Sequence, residues 1–274
     1  MNKTLAALAI LAGLSSLVAP AQAHRAWILP AATVLSSEDP WVTFDAAISN
    51  DIFHPDYHAL GLEGVEVAGP NSEAVALQNP HTGKYRSTFD LALARAGTYK
   101  VYRASNGPTA TWTENGERRR WPGRGASPAP GDFEREVPMD AQDLKITQSS
   151  WRIETFVTAG QPNETALAPG NIGLELVPVT HPNDLYVGEP ASFRLLIDGE
   201  PAAGAKVSVL AAGMRYRDSQ LAIELTADEA GLVVIDWPRA GMYFLEADYA
   251  DDRARAPATA RRGAYAATFE VLPL

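Results

Sequence analysis

The sequence predicts an all-β chain organised as two β-sandwich domains in tandem, and three observations lead there. After residue 23 the apolar runs are short, and most alternate with a period of two rather than 3.6. Each run is closed by Gly, Pro, Asn or Asp, at the spacing that sandwiches use. Residues 24–274 suffice for one large domain or two of ordinary size.

The N-terminus has its own pattern. Lys3 precedes an apolar run from Leu5 to Val18, and Ala21-Gln22-Ala23 completes a small-residue cleavage site. Residues 1–23 therefore read as a secretory signal peptide. The run is too short for a bilayer, which needs about 20 apolar residues. No cysteine follows the site, so a lipid anchor is set aside. Cleavage after Ala23 leaves His24 as the new N-terminus, and no later stretch is apolar and long enough for a transmembrane helix.

The first domain is expected over 24–160. Its strands read as residues 26–29, 41–47, 64–68, 84–91, 97–104 and 109–114, then 143–147 and 152–158. Segments 86–91 and 98–102 alternate as a half-buried antiparallel pair should, with Ala94-Arg95-Ala96-Gly97 as the turn. Between 115 and 138 the pattern fails. Arg118-Arg119-Arg120 leads into Pro- and Gly-rich sequence that reads as a mobile surface loop, either a docking loop or a tolerated insertion. Residues 160–170 read as a linker.

The second domain is expected over 171–274, with strands at 173–179, 191–197, 206–211, 222–226, 232–236, 241–247 and 264–271. Asp198-Gly199-Glu200-Pro201 opens a hairpin, and the segment 226–232 is a turn feeding a strand. This order resembles immunoglobulin-like and transthyretin-like sandwich modules. Arg95-Ala96-Gly97-Thr98-Tyr99 is echoed by Arg239-Ala240-Gly241-Met242-Tyr243.

Composition narrows the partners. The chain is 46% hydrophobic and has no Cys, so packing rather than disulfides must stabilise it. Its net charge of −10, one unit more negative once Lys3 is removed, argues against nucleic acid or anionic membrane and mildly favours cations. No Gly-x-Ser-x-Gly elbow is present, and Gly123-Arg124-Gly125 follows no predicted strand, so neither a serine hydrolase nor a phosphate loop is indicated. The enzyme reading has no local support.

Metal binding has more. An N-terminal His24 offers its α-amine, with a pKa of about 7.7–8.0, and its imidazole Nδ1 to one ion. One further His would complete a nitrogen set suited to copper or, with added oxygens, to nickel or cobalt. Asn50-Asp51-Ile52-Phe53-His54-Pro55-Asp56-Tyr57-His58 concentrates His54, His58, Asp51 and Asp56 as candidate ligands. His181 follows a predicted strand and could reach the domain interface, whereas His81 looks like a hairpin tip.

The stretch His24-Arg25-Ala26-Trp27-Ile28-Leu29-Pro30, followed by residues 41–51, resembles the start of the domain-of-unknown-function family DUF4198. Gly83-Lys84-Tyr85-Arg86, Val179-Thr180-His181-Pro182, Leu196-Ile197-Asp198-Gly199, the segment 237–243 and Arg261-Arg262 continue the resemblance in order. It implies a periplasmic protein associated with transition-metal uptake, chiefly nickel or cobalt, some of whose relatives accompany outer-membrane receptors and membrane reductases; the expected partner here is a membrane metal transporter or an outer-membrane receptor. Relatives vary around His54 and His58, which leaves His181 a rival ligand. The expected function is thus a transition-metal-binding accessory protein using Ni, Co or Cu. The alternatives are a metal-free interaction module and a copper-dependent envelope enzyme.

Overall fold

The structure, a computed structural model, describes residues 24–123, 125–126 and 128–274; the predicted signal peptide lies outside the described residues. The first half forms β1 (Arg25–Pro30), β2 (Val34–Leu35), β3 (Trp41–Ser49), β4 (His58–Ala59), β5 (Val65–Ala68), β6 (Gln78–Thr82), β7 (Ser87–Ala92), β8 (Gly97–Glu114) and β9 (Glu117–Trp121). Helix α1 (Asp132–Glu136) and β10 (Gln142–Ala159) complete it. The second half forms β11 (Leu174–Pro178), β12 (Ala191–Ile197), β13 (Glu200–Pro201), β14 (Lys206–Ala211) and β15 (Ile223–Thr226). It ends with β16 (Leu232–Ile235), β17 (Gly241–Asp251) and β18 (Ala260–Val271). The chain is nearly all β, as its alternation predicts.

These strands make three sheets. One outer sheet runs β1-β3-β7-β6 with β4 on β3; the other joins β11, β12, β13 and β16. Between them lies a nine-stranded sheet ordered β15-β14-β17-β18-β10-β8-β5, with β2 and β9 at its side. The two halves meet inside it, where β10 and β18 pair in parallel from Thr147↔Ala260 to Thr155↔Thr268.

Alternation explains the layering, because successive side chains of a strand point to opposite faces. On β17, Tyr243, Leu245 and Ala247 enter the core under the β11–β12 sheet, while Phe244 enters the core under the β1–β3 sheet. On β10, Phe156 faces the former core, and Ile153 and Val157 face the latter. A strand covered on both sides needs a nearly continuous buried run, and residues 153–159 are all buried. The result is two sandwiches that share a middle sheet. The segment 160–170 accordingly does more than link: Ala166 and Leu167 are buried, and Asn163 accepts from Thr98 N–H and donates to the Pro70 carbonyl.

Two expectations from sequence need correction. Residues 86–91 and 98–102 are not hairpin partners, since β7 belongs to the outer sheet and β8 to the middle one. The four residues between them cross from one sheet to the other. Nor is 115–138 a loop throughout. Asn115 and Gly116, with φ of 52° and 80°, form a two-residue hairpin turn that folds β9 back on β8, pairing Glu114 with Glu117. Trp121, Phe133 and Val137 then close a small third core over Ala110 and Ile146.

The repeated Arg-Ala-Gly-x-Tyr segments are one device used twice. Tyr99 OH donates to the Arg95 carbonyl at 2.9 Å, and Tyr243 OH donates to the Arg239 carbonyl at 2.8 Å. Gly97 and Gly241 share a φ of 133°. This is the tyrosine corner of immunoglobulin-type sandwiches, which pins the chain as it enters a strand. Both rings are buried, so Tyr243→Phe should cost about 1–1.5 kcal/mol, read as a shift of the urea midpoint at constant slope. A loss below a few tenths of that would mean the corner is ornamental.

Candidate functional site

The start of β1 is held against the second half. Arg25 forms a forked ion pair with Glu246, Nη2 to Oε1 at 2.8 Å, across part-buried surface. Two residues on, Trp27 donates Nε1–H to Ser49 Oγ at 2.7 Å, and Ser49 donates to the Asp51 carbonyl. Phe53 packs edge-on against Trp27, ring centres 5.7 Å apart, and Ile52 is buried. β1 and the 50–58 loop are therefore fixed to one another and to β17.

That frame decides where His24 lies. Its imidazole stacks on the exposed Tyr57 ring, centroids 3.6 Å apart and planes 10° from parallel. The sheet register agrees, because Ala26 and His58 both sit opposite Ile48, one on each side of β3. With β3 between them, β1 and β4 lie two strand spacings apart, about 9.6 Å from backbone to backbone.

The other candidates are placed differently. His58 is exposed, and its Nδ1 lies against the Ala59 carbonyl. A carbonyl only accepts, so Nδ1 carries the hydrogen and the Nε2 lone pair faces outward, the arrangement that orients metal-ligating histidines. Asp56 accepts from Asn50 N–H at 2.9 Å and so closes the loop. The Asp51 carbonyl anchors Ser49, and its carboxylate has no hydrogen bond among the described residues. His54 has the Arg215 guanidinium against both ring nitrogens, which ties up its lone pair and sets a positive charge beside it.

His181 is not brought to this group. Its Nδ1 accepts from Asn183 N–H at 3.2 Å, and its Nε2 bonds Thr98 Oγ1 at 2.9 Å. Thr98 and Asn183 both bond Thr158, whose own N–H reaches Thr33, beyond the opposite end of β1 from His24. Burial lowers the His181 pKa, so the ring is held neutral as a pin between the two halves. His81 lies on the exposed edge strand β6, two residues before the Gly83–Arg86 turn that closes the β6–β7 hairpin. Among the described residues no three His, Asp or Glu side chains converge as a metal cage.

Sequence reasoning missed a different set of groups. Glu154, Glu175 and Tyr265 are buried between the middle sheet and β11, with Arg152 bridging both carboxylates. Tyr265 OH donates to Glu154, and burial raises both their pKa values. Arg261, also buried, bridges Asp198 and Asp251 at 2.9 and 2.6 Å. The signal was there: Arg152 and Glu154 are two apart on a strand, and so share a face of an otherwise apolar run.

The family described as "Domain of unknown function (DUF4198)" matches residues 21–251. The chain belongs to this family. No curated protein matches it. Among solved structures, the D0-D1 domain of intimin is 10% identical, with 88% of this chain and 96% of that chain covered and a TM-score of 0.22. The human OSCAR ligand-binding domain is 12% identical, covering 88% and 97%, at a TM-score of 0.19. A marsupial T cell receptor is 10% identical, covering 92% and 73%, at 0.20. Scores this low carry no argument for the DUF4198 chain's activity.

Proposed function

We propose that this protein, cut after Ala23 on export to the periplasm, captures a divalent nickel, cobalt or copper ion and passes it to a membrane transporter or outer-membrane receptor. The ligands are the α-amine and imidazole of His24, which close a chelate ring, together with Nε2 of His58. Water supplies any further oxygen the metal calls for, since no third His, Asp or Glu side chain converges with these two among the described residues. The reading rests on the stack of His24 upon Tyr57, the neighbour of His58. Three nitrogens from two residues form an open, shallow site, which suits a cargo that must leave again.

One exposed sheet edge argues against the interaction-module alternative. β6 is exposed along its length, but Pro80 sits within it and its register breaks between Gln78 and His81, both of which blunt strand addition.

Titrating Cu(II), Ni(II) and Co(II) into the processed protein and its histidine variants tests the ligand set. His58→Ala should weaken the tightest metal about tenfold or more, and His181→Ala should leave it unchanged. Unchanged affinity in His58→Ala would remove that residue from the site.

A further inference from the structure

The two tyrosine corners are the same backbone device with opposite electrostatics. In the first, the Arg95 carbonyl accepts from Tyr99 OH, and the Arg95 guanidinium is paired with Glu73, Nε to Oε1 at 3.6 Å. Arg95 thus has its counter-charge within the protein. In the second, Arg239 stands where Arg95 stands, and its carbonyl accepts from Tyr243 OH. The charged group beside it is another arginine.

That arginine is Arg217, from the loop between β14 and β15. Its Nη2 donates to the Ala211 carbonyl at 2.7 Å, and Arg239 Nη2 donates to the Ala212 carbonyl at 3.3 Å. The two carbonyls belong to consecutive residues, about 3.8 Å apart along the chain, and Ala211 is the register partner of Tyr243. Both guanidiniums are thereby brought to one corner. Their effect on each other agrees, since burial and then the charge of Arg239 lower the Arg217 pKa. Burial raises the Tyr243 pKa, and both guanidiniums pull against it.

No carboxylate answers them. Neither arginine forms an ion pair among the described residues, and Asp218, next to Arg217 in sequence, is exposed and bonds to neither. Arg217 is part-buried, and its Nε–H is shielded from solvent without a hydrogen-bond partner. An unpaired donor on a buried charged group is costly, so the corner is left short of an acceptor. Arg239 is exposed, which keeps the pair open on one side. In a chain of net charge −10, two adjacent guanidiniums without an acid reverse the local sign.

We propose that the second tyrosine corner binds a small oxyanion, a phosphate or a carboxylate, which bridges Arg217 and Arg239 in the place that the Glu73 carboxylate takes beside Arg95. Guanidiniums suit both oxyanions, because their paired N–H groups match two oxygens at once. Each has five N–H donors, so the bond to a backbone carbonyl fixes it in place and leaves donors to spare. The site needs no metal.

Calorimetric titration of inorganic phosphate and of malonate, at constant ionic strength, into the protein beginning at His24 tests it. At least one of the two should bind at a single site, and the tighter identifies the headgroup. Arg239→Ala should weaken that binding about tenfold or more. Arg239→Glu gives this corner the internal acid that the first one has, and should abolish binding without lowering the melting temperature. Arg95→Ala, at the first corner, should leave binding unchanged. No binding of either anion, binding that survives Arg239→Glu, or an equal loss in Arg95→Ala overturns the proposal.

Discussion

Replacing Arg152 with alanine is expected to lower the unfolding free energy by about 3–5 kcal/mol at pH 7. Its side chain is 11% exposed and reaches Glu175 at 3.0 Å and Glu154 at 3.5 Å, both nearly fully buried. Glu175 in turn accepts from Gly170 N–H and Asn171 N–H, so the cluster also fixes the chain entering β11. Truncation strands Glu175 without its ion-pair partner and leaves Glu154 with the charge of Lys100 alone. Breaking a buried pair costs far more than the pair contributes net, because the partner's charge stays desolvated.

The pH dependence gives a second readout. Burial raises the Glu154 pKa above the ordinary carboxylate value. For an acid shifted this way, the folded state binds the proton more tightly, so stability falls as pH climbs from the unfolded pKa through the folded one. Removing Arg152 raises that pKa further. The damage should therefore be greatest at pH 7 and shrink on acidification, since a Glu154 that takes up its proton no longer needs a cation. Urea unfolding of both proteins at pH 7 and at more acid pH measures it. A loss under about 1 kcal/mol, or one that grows on acidification, would mean that the cluster is not held as a charged network.

Gly231→Ala should be nearly as costly, on the order of 3 kcal/mol. The residue has φ of +75°, where an L side chain is strained, and an added Cβ would lie 2.3 Å from the Leu195 carbonyl oxygen. That oxygen is committed, accepting from Ala202 N–H at 2.9 Å, while Leu195 N–H donates to the Gly231 carbonyl at 2.8 Å. Neither backbone can withdraw without breaking the contact between β12 and the turn before β16. Gly116→Ala is the control. Its φ is +80°, but nothing lies within 4 Å, so only the conformational penalty of about 1 kcal/mol remains. Thermal unfolding of the two variants separates clash from dihedral strain; equal losses would contradict the account.

Much of the strand pattern was legible, for a physical reason. Half-buried strands such as Ser87–Ala92 alternate, and Gly, Asn and Asp mark their ends. What alternation cannot carry is the choice of partner. β7 and β8 look like a hairpin, yet Leu93 dives into the core and Tyr99 pins the crossing to the other sheet. Likewise β8 and β10 each read as two strands, because Ser105-Asn106-Gly107-Pro108 and Gln148-Ser149-Ser150 are polar where the ladder leaves both cores for the arm. Asn115-Gly116 is a strong hairpin signal, but the arginine run after it masked it.

The candidate site was legible in its parts and not in its assembly. His24 and the 50–58 loop stood out by residue type. Their proximity follows from the β1–β3 and β3–β4 registers, which no local pattern encodes. The separation of His54 from His58 as ligands depends on Arg215, a residue 161 positions away. His181 attracted attention for its place at a strand exit, and it serves there as a neutral pin.

The central claim is that the freed amine of His24 is a metal ligand. Its most direct test is calorimetry of Cu(II), Ni(II) and Co(II) on the protein beginning at His24, against a form with one added alanine before it. The account predicts that the added residue weakens the tightest-bound metal by about a hundredfold, near 2.7 kcal/mol. Equal binding by both forms, or no binding tighter than about millimolar in either, would contradict it.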